Sequence, residues 1–597
     1  MDYKPHTLLN LKNDKMVSAT ARIGRRFILV VFGACILSAT YLFVEFSADT
    51  LSYHPKLSKY LAPIESGLKN VVPINFTHIP SSFSEDQLED HHYREDGLLE
   101  VNPQGPHPIY ELMERSQRTW DSRLRRASRT LQDAVREYRR RYRRPPPKGF
   151  NHWWDYVVTH NIQLPDEYDS IHDQLEHYWA VKPADLAQLQ QQWESHRDTY
   201  TVGKVTEGDP ITVLGTSMTN ETLQHDLNRL ANGQLNLIKD VQQFIPPFRA
   251  IFTASDNPNQ LTDHNIEAMA NQAITEGTYI DIHHLPSVNT DGWGAGCPPG
   301  SPLRAGARLM HPNDKTFIYD QQLSMDVCRH PENVHLHGAF LQYNTTPVPE
   351  VTLVPQFSPC TTKLHRDITV PSLDGWTGDV DNVSWEEKVD DRLLWRGPPS
   401  DVYHSPDTTW VTSHRPRLVN HTNTRDGVQT FLPPTNSSRE PVGFGREVKS
   451  GDLNMATMDI GFTGDFAACA SAACNVIRES FEVKDSLSPD TSALYKFVID
   501  VDSHGFSTRF KRLMSSNSVV FRSTVYSHWF TERLAPWVHY VPVQIDYSDL
   551  HDAVIFFRGD INGEGAHDQL ARKIADAGKS WSETFWRKED MTAYLFR

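Results

Sequence analysis

The sequence lacks the patterns typical of several common protein classes. It has six cysteines in 597 residues, and the two nearest each other, Cys469 and Cys474, have no partner Cys or His at zinc-site intervals. It has no basic excess, since its net charge is −16, and this argues against a general nucleic-acid-binding protein. It has no internal repeat, which argues against solenoids and propellers. With 39% hydrophobic and 22% charged residues, the chain is expected to be globular, in roughly two to four domains.

One long hydrophobic run stands out near the N-terminus. Residues 27–46 read FILVVFGACILSATYLFVEF, and about 20 apolar residues cross the hydrocarbon layer as a helix. No small-residue cleavage site follows the run, so a retained anchor is favoured over a removed signal peptide. Five basic residues precede it: Lys12, Lys15, Arg22, Arg25 and Arg26. This pattern predicts a single-pass type II protein of the Golgi membrane, or alternatively of the ER, with residues 1–26 cytosolic; a buried core helix is the alternative.

The distribution of glycosylation sequons favours the same compartment. All six N-x-[ST] sequons follow the hydrophobic run, beginning at Asn75, Asn220, Asn344, Asn382, Asn420 and Asn436. Five cysteines also follow it, and an odd number leaves at least one free or paired between chains. We therefore expect the folded part of the chain to be lumenal.

Two segments separate this run from the globular part. Residues 47–107 are rich in Pro, Ser, His and acidic residues and are predicted to be a stem. Residues 108–148 are predicted to be a basic amphipathic helix, with 13 Lys or Arg between Arg115 and Lys148. Its apolar residues at helical spacing are Trp120, Leu124, Leu131, Val135, Tyr138 and Tyr142. A solvated basic face is favoured over the alternative of an RNA or anionic-lipid patch.

The C-terminal third alternates between strand-like and helix-like segments. Residues 495–502 read as a buried strand, followed by Gly505 and a helix from about Thr508, and such alternation implies a parallel sheet. Helix N-termini bind phosphate, Ser507 is a plausible N-cap, and Arg509 in the first turn could clamp a diphosphate. Asp500 and Asp502 also form a D-x-D pattern, but a structural turn is favoured over a metal site.

Two further residues follow strand-like segments. Arg396 ends the run LLWR, where a phosphate contact and a structural salt bridge are both open. Asp256 stands at the carboxyl end of RAIFTA, the edge where α/β active sites lie, although a turn cap is the commoner role.

Several blocks together resemble glycosyltransferase family 90, which includes fungal capsule-associated proteins, a β-1,2-xylosyltransferase and animal protein O-glucosyltransferases. The resemblance runs in scattered blocks from about Tyr138 to Arg597. The blocks include FIPPFRAIFTASDNP (244–258), VPQFSPCTTKLHRDITVPS (354–372) and WEEKVDDRLLWRG (385–397). The segment 495–550, with SNSVVFRS, PWVHYVPV and DYSDL, is the most similar.

The resemblance implies an α/β fold of GT-B type, with an acceptor-side Rossmann-like domain over 149–380 and a UDP-sugar-binding one over 381–597. It implies an inverting transfer with Asp256 as the general base and no essential metal ion, neither Mn²⁺ nor Mg²⁺. The implied donor-site residues are Arg396, Ser400, Asp502, Gly505, Phe506, Ser507 and Arg509. One departure is that Pro398 and Pro399 follow Trp-Arg-Gly, where the family usually has Ser or Thr.

The expected function is the transfer of xylose, or less readily glucose, from a UDP-sugar to a hydroxyl group of a glycan, glycoprotein or glycolipid in the secretory pathway. The expected partners are that donor, that acceptor and the membrane, with no nucleic acid. The Pro398–Pro399 departure motivates one alternative, a non-catalytic glycan-binding or scaffold protein of the same fold. A membrane-tethered RNA-binding protein, based on the arginine run, is a third hypothesis.

Overall fold

The computed structural model describes residues 88–597 apart from short internal segments. These gaps are 219–220, 287–291, 308–314, 342–345, 374–375, 379–382, 406–407, 465 and 467–468. The predicted cytosolic tail, anchor and most of the stem lie outside the described residues, as do four of the six sequons. Asn420 and Asn436, which begin the other two, are exposed. Within the part of the chain described, no helix combines the length and apolar character needed to cross a bilayer.

Residues Gln87–Arg597 group into one compact unit by their contacts. Its strands are β1 His92–Tyr93, β2 Leu98–Glu100, β3 Thr199–Lys204, β4 Thr212–Thr216, β5 Phe248–Thr253, β6 Thr316–Ile318, β7 Gln356–Ser358, β8 Ile368–Thr369, β9 Asp390–Gly397, β10 Val428–Phe431, β11 Arg446–Lys449, β12 Met458–Phe462, β13 Tyr495–Val501, β14 Val519–Ser523 and β15 Val541–Pro542. Its α-helices are α1 Pro108–Arg126, α2 Leu131–Tyr142, α3 Phe150–Thr159, α4 Asp169–Glu176, α5 Pro183–Trp193, α6 Glu221–Ile238, α7 His264–Glu276, α8 Gln321–Ser324, α9 Gly338–Leu341, α10 His414–Asn423, α11 Ser450–Thr457, α12 Ser471–Ser480, α13 Pro489–Ala493, α14 Arg509–Met514, α15 Leu550–Arg558, α16 Asp568–Phe585 and α17 Lys588–Phe596. The chain is therefore a mixed α/β protein.

The C-terminal sheet is parallel throughout, as the alternating pattern predicts. Its strand order is β12-β9-β13-β14-β15, with β9 paired in parallel to both β12 and β13. Six of the seven residues of β13 are buried, which is why this segment reads as a continuous apolar run. From β9 the chain first adds β12 on one side and later β13 on the other. The order of the sheet therefore reverses between β9 and β13.

The N-terminal sheet differs from the predicted Rossmann-like pattern. Its order is β4-β3-β5-β7-β8, and β5, β7 and β8 are parallel, whereas β3 runs antiparallel to both of its neighbours. The sheet therefore continues past its parallel strands through β3, and all six residues of β3 are buried. Helix α17 from the end of the chain packs beside this half, where the Thr592 hydroxyl donates to the Leu237 carbonyl oxygen at 2.7 Å.

The predicted stem extends too far along the chain. Strands β1 and β2 form a three-stranded antiparallel sheet with β6. Leu99 and His107 are fully buried in the folded unit. Pairing with a strand more than two hundred residues away leaves no local pattern, so polar composition alone gave the wrong end for the stem.

The basic stretch forms two helices rather than one. Helix α1 ends at Arg126, and α2 starts after Thr130, whose hydroxyl accepts the Asp133 N–H at 3.2 Å. The apolar stripe is buried at Trp120 and Tyr142. The second helix ends at Tyr142, three residues before Pro145, and therefore short of the predicted end at 148.

Candidate active site

The loops that follow β9 and β13 meet at the point where the sheet order reverses. In open parallel sheets, ligands bind outside the carboxyl ends of the strands at this point. The His504 N–H donates to the Ser400 carbonyl oxygen at 3.1 Å, which joins the two loops. The structure thus brings together the predicted donor residues of both loops.

A cavity of about 550 Å³ is lined by residues of β9 and β13 and of helices α13 and α14. Three of its lining residues are Arg396, Arg509 and Arg512, and no Asp or Glu among the described residues lines it. Its volume falls in the ~300–1,000 Å³ range of small-molecule sites. Because three arginines and no described acidic residue line it, the cavity suits an anionic ligand.

Both predicted arginines already have carboxylate partners inside the protein. Arg396 donates through Nη2 to Asp459 Oδ1 at 2.8 Å, and Arg509 donates through Nε to Asp500 Oδ1 at 3.0 Å. Burial opposes ionisation of Asp459, but hydrogen bonds from Lys484, Tyr495 and Arg396 hold its pKa below the usual range. Arg512, by contrast, forms no ion pair within the described residues. The cavity therefore contains two guanidinium groups that are fixed by ion pairs, and a third, that of Arg512, that forms no ion pair within the described residues.

Asp256 lies directly against the turn formed by Gly505, Phe506 and Ser507, which is called the donor-side turn below. Its carbonyl oxygen accepts the Phe506 N–H at 2.9 Å and faces the Cys360 thiol at 3.2 Å. Gly505 has φ of +84°, and a Cβ atom added there would stand 2.1 Å from that carbonyl oxygen. Only glycine fits, because the backbone angle and the close approach both exclude a side chain. The Asp256 side chain itself is exposed.

Asn257 links this loop to two donor-side segments. Its Nδ2 lies 2.7 Å from His504 Nδ1, and its Oδ1 accepts the Tyr526 hydroxyl at 3.0 Å. Asn257 is 5% exposed, so these polar contacts are shielded from water. This residue sits beside Asp256 in the quoted block, but sequence reasoning gave it no role.

Asp367 holds the same loop in place by accepting hydrogen bonds from its main chain. Its Oδ2 accepts the N–H groups of Asn259 at 3.0 Å and Gln260 at 2.8 Å. Burial raises the pKa of Asp367 to about 7, although these hydrogen bonds oppose the shift. The residue belongs to the HRDI segment at 365–368, and its contacts explain why an acidic residue stands there.

The two aspartates of the D-x-D pattern both have partners in the described structure. Asp500 holds Arg509, and Asp502 accepts from His337 Nε2 and from the Val525 N–H, each at 3.0 Å. Burial opposes ionisation of Asp502, but the His337 hydrogen bond and nearby positive charges set its pKa at about 2. These contacts agree with the favoured interpretation of a structural turn. Among the described residues, no cluster of three or more His, Cys, Asp or Glu is arranged to hold a metal ion.

Arg415 is a site residue that the sequence reasoning missed. It is fully buried and donates through Nε to the Asp502 carbonyl oxygen and through Nη1 to the Pro398 carbonyl oxygen and Ser400 Oγ, each at 2.8 Å. One guanidinium therefore ties the β9 loop, including both prolines, to the β13 turn. A single arginine in this part of the sequence carried no signal.

The remaining predicted residues lie on the same turn. Phe506 packs with its ring centroid 6.0 Å from that of His528. Ser507 Oγ accepts the Arg509 N–H at 3.3 Å, but the N-cap residue of α14 is Thr508, so the capping prediction is wrong by one residue. Helix α14 is only six residues long, so the arginines carry more of the argument for anion binding than the helix end does.

Comparison with known proteins adds information on the C-terminal part. Residues 475–597 match the profile described as Glycosyl transferase family 90. Protein O-glucosyltransferase 2 of Danio rerio is 35% identical over 105 residues, which are 17% of this chain and 19% of that protein. Protein O-glucosyltransferase 1 of Homo sapiens is 31% identical over 101 residues, 17% of this chain and 24% of that protein.

A longer alignment exists with a viral protein. Uncharacterized protein 035R of Invertebrate iridescent virus 3 is 25% identical over 262 residues, 42% of this chain and 22% of that protein. The chain thus spans only about a fifth to a quarter of the length of these curated relatives.

Proposed function

We propose that this chain, whose C-terminal part belongs to glycosyltransferase family 90, transfers a sugar from a nucleotide-sugar donor to a hydroxyl group of a glycan acceptor. The observation that carries the proposal is the contact between Asp256 and the Gly505 turn, which is followed four residues later by Arg509, one of three arginines that line the cavity. We propose UDP-xylose, or less readily UDP-glucose, as the donor.

The donor-side chemistry follows from charge. As the bond between the sugar and the diphosphate breaks, negative charge builds on the departing nucleotide and positive charge on the anomeric carbon. Arg396 and Arg509, with Arg512 beside them, can neutralise the diphosphate without any rearrangement of the backbone. On this reasoning we propose that transfer needs no divalent metal ion.

The acceptor-side chemistry follows from the exposed carboxylate. Asp256 takes the proton from the attacking hydroxyl as the new glycosidic bond forms, and the diphosphate leaves from the opposite face of the sugar. This sequence inverts the anomeric configuration. Gly505 brings the base loop against the donor-side turn, while Asn257 and Asp367 hold that loop in place.

The wider setting is also a proposal. The fold is proposed to be of GT-B type, with the two five-stranded sheets as its halves. A lumenal, membrane-anchored location is supported by the sequon positions and by two disulfides, Cys297–Cys328 and Cys469–Cys474, which are typical of oxidising compartments. Cys360 remains as the free and buried cysteine among those described.

The test is UDP release from UDP-xylose and UDP-glucose, without acceptor and in the presence of a chelator, combined with UDP calorimetry. We expect slow release by the wild-type protein with at least one donor, whereas the scaffold alternative predicts none. Asp256→Asn should abolish transfer and keep UDP affinity, because it removes a base and leaves the arginines. Arg509→Ala should weaken UDP binding at least tenfold, since a charged hydrogen bond contributes about 1.5–3 kcal/mol. Unchanged UDP affinity in Arg509→Ala would reject the assigned donor site.

A further inference from the structure

A small cavity lies just behind the contact between Asp256 and the Gly505 turn. Its volume is about 140 Å³, and Thr361, Thr362 and His528 are among its lining residues. Cys360, the residue before Thr361, contacts the Asp256 carbonyl oxygen, and His528 packs against Phe506. The cavity is therefore linked to the main chain of Asp256 through Cys360 and to the donor-side turn through His528.

A larger groove of about 410 Å³ continues from this cavity. Gln322, Thr531 and Glu532 line both spaces, so they form the passage between them. The far wall of the groove is α1, through Arg115 to Arg123, and its floor includes Tyr319. The two spaces together form a path that begins at Thr361 and His528 and runs along α1.

The polar groups along this path are only partly committed to the protein. Within the residues that the structure describes, neither the Gln322 side-chain amide nor the Lys363 ammonium forms a hydrogen bond or ion pair. Both groups can therefore hydrogen-bond to a ligand in this path without giving up a partner in the described part of the protein.

The charge of the path distinguishes it from the donor cavity, which is the cavity of about 550 Å³ lined by Arg396, Arg509 and Arg512. The donor cavity has three arginines and no acidic residue among its described lining residues, whereas the path carries both signs in similar number. Its charged residues are Arg115, Arg123, Lys363 and Arg366, with Glu167, Asp169, Asp173, Asp320 and Glu532. Balanced charge favours neither a polyanion nor a polycation. Mixed donors and acceptors, with the half-exposed ring of Tyr319, suit a neutral ligand that is rich in hydroxyl groups.

We propose that this path is the binding groove for a neutral oligosaccharide acceptor, and that it holds the sugar units that trail behind the reacting hydroxyl. The proposal rests on the proposed transferase function, because it assigns the acceptor of that same site. It assigns Gln322 to the passage between the two spaces, where it contacts the acceptor chain and determines preference for longer acceptors.

The test measures binding of neutral oligosaccharides with UDP present. The probes are gluco-, manno- and xylo-oligosaccharides of increasing length and their monosaccharides, followed by saturation-transfer NMR and calorimetry. We expect at least one series to bind more tightly as it lengthens. Gln322→Ala should weaken the longer probes about tenfold, which corresponds to ~1.4 kcal/mol, and Gln322→Trp should abolish the gain with length.

The matched controls are Gln192→Ala and Gln192→Trp, on the exposed side of α5 away from the groove. These controls should bind every probe as the wild-type protein does. Melting temperature and UDP affinity serve as folding controls for the Gln322 variants and should be unchanged. Oligosaccharides that bind no more tightly than monosaccharides would overturn the proposal, as would Gln322 variants that match their controls. If the wild-type protein releases no UDP from any donor, the transferase function fails, while the groove is still judged by the binding data.

Discussion

Replacing Gly505 by alanine tests the contact on which the proposed active site depends. The new Cβ atom would lie 2.1 Å from the Asp256 carbonyl oxygen, whereas ordinary contacts begin at 3.4 Å, so the two loops must separate by more than 1 Å. The left-handed backbone angle adds about 1–2 kcal/mol for a residue with a side chain. Loss of the hydrogen bond between Phe506 and Asp256 adds about another 1 kcal/mol. We expect a total destabilisation of roughly 2–3 kcal/mol.

The effect on transfer should exceed the effect on stability. A displacement of about 1 Å at a reacting group can lower the rate about 100-fold, and here the displaced group is the proposed base loop. Gly563→Ala is the matched control, because Gly563 has φ of +80° and a Cβ there would meet nothing within 4 Å. The assays are urea unfolding and the rate of sugar transfer for both variants, each at a temperature where both are folded. Equal stability and equal transfer in the two variants would refute the argument that close approach, rather than backbone angle alone, requires Gly505.

Two further predictions concern stability. Because burial raises the pKa of Asp367 to about 7, the folded protein keeps a proton that the unfolded chain releases above pH 4. The free energy of unfolding should therefore fall by up to ~1.4 kcal/mol per pH unit as the pH rises from 4 to 7. Urea unfolding of Asp367→Asn should show a shallower dependence on pH. The same pH dependence in the variant and the wild-type protein would contradict this account. The Cys297–Cys328 disulfide spans 31 residues and Cys469–Cys474 spans 5, so loop entropy predicts a loss of about 3–4 kcal/mol for the first pair and about 2 kcal/mol for the second when each is replaced by alanine. Melting temperatures of the two double variants would compare them, and a larger drop for the shorter loop would count against the entropic reasoning.

The C-terminal sheet could be predicted from sequence where its strands carry a local signal. The run from Tyr495 to Asp502 is apolar and ends at a glycine turn, and β13 occupies Tyr495–Val501. The ends of the last two helices were harder to predict. The end of the chain reads as helical, but the sequence does not show where the break falls: α16 continues unbroken to Phe585 and α17 begins at Lys588. The helical pattern is continuous there, and the break depends on packing of Trp586 that no local pattern reveals.

The positions of two candidate-site residues were predictable from the sequence, but their contacts were not. Asp256 and Gly505 each stand after a strand, where α/β sites lie, and this position was readable from the sequence. Their direct contact joins segments about 250 residues apart, and only the packing of the two halves creates it. Arg415 lies in a short helix with no distinctive neighbours, so its role in joining two loops could not be inferred from one chain. Long-range partners of this kind leave no periodicity in a sequence.

The carboxylates around the donor cavity explain why the D-x-D pattern resembles a metal site. A guanidinium beside a cavity keeps a fixed position only if something in the protein holds it, and a buried charge needs a partner. Asp500 holds Arg509 in this way, and Asp459 holds Arg396. Acidic residues at the end of β13 are therefore required by an arginine-lined anion site as much as by a cation site. Because the arginines are already oriented, little reorganisation is needed when negative charge develops on a leaving diphosphate, and that prior orientation is the source of electrostatic stabilisation in such a site.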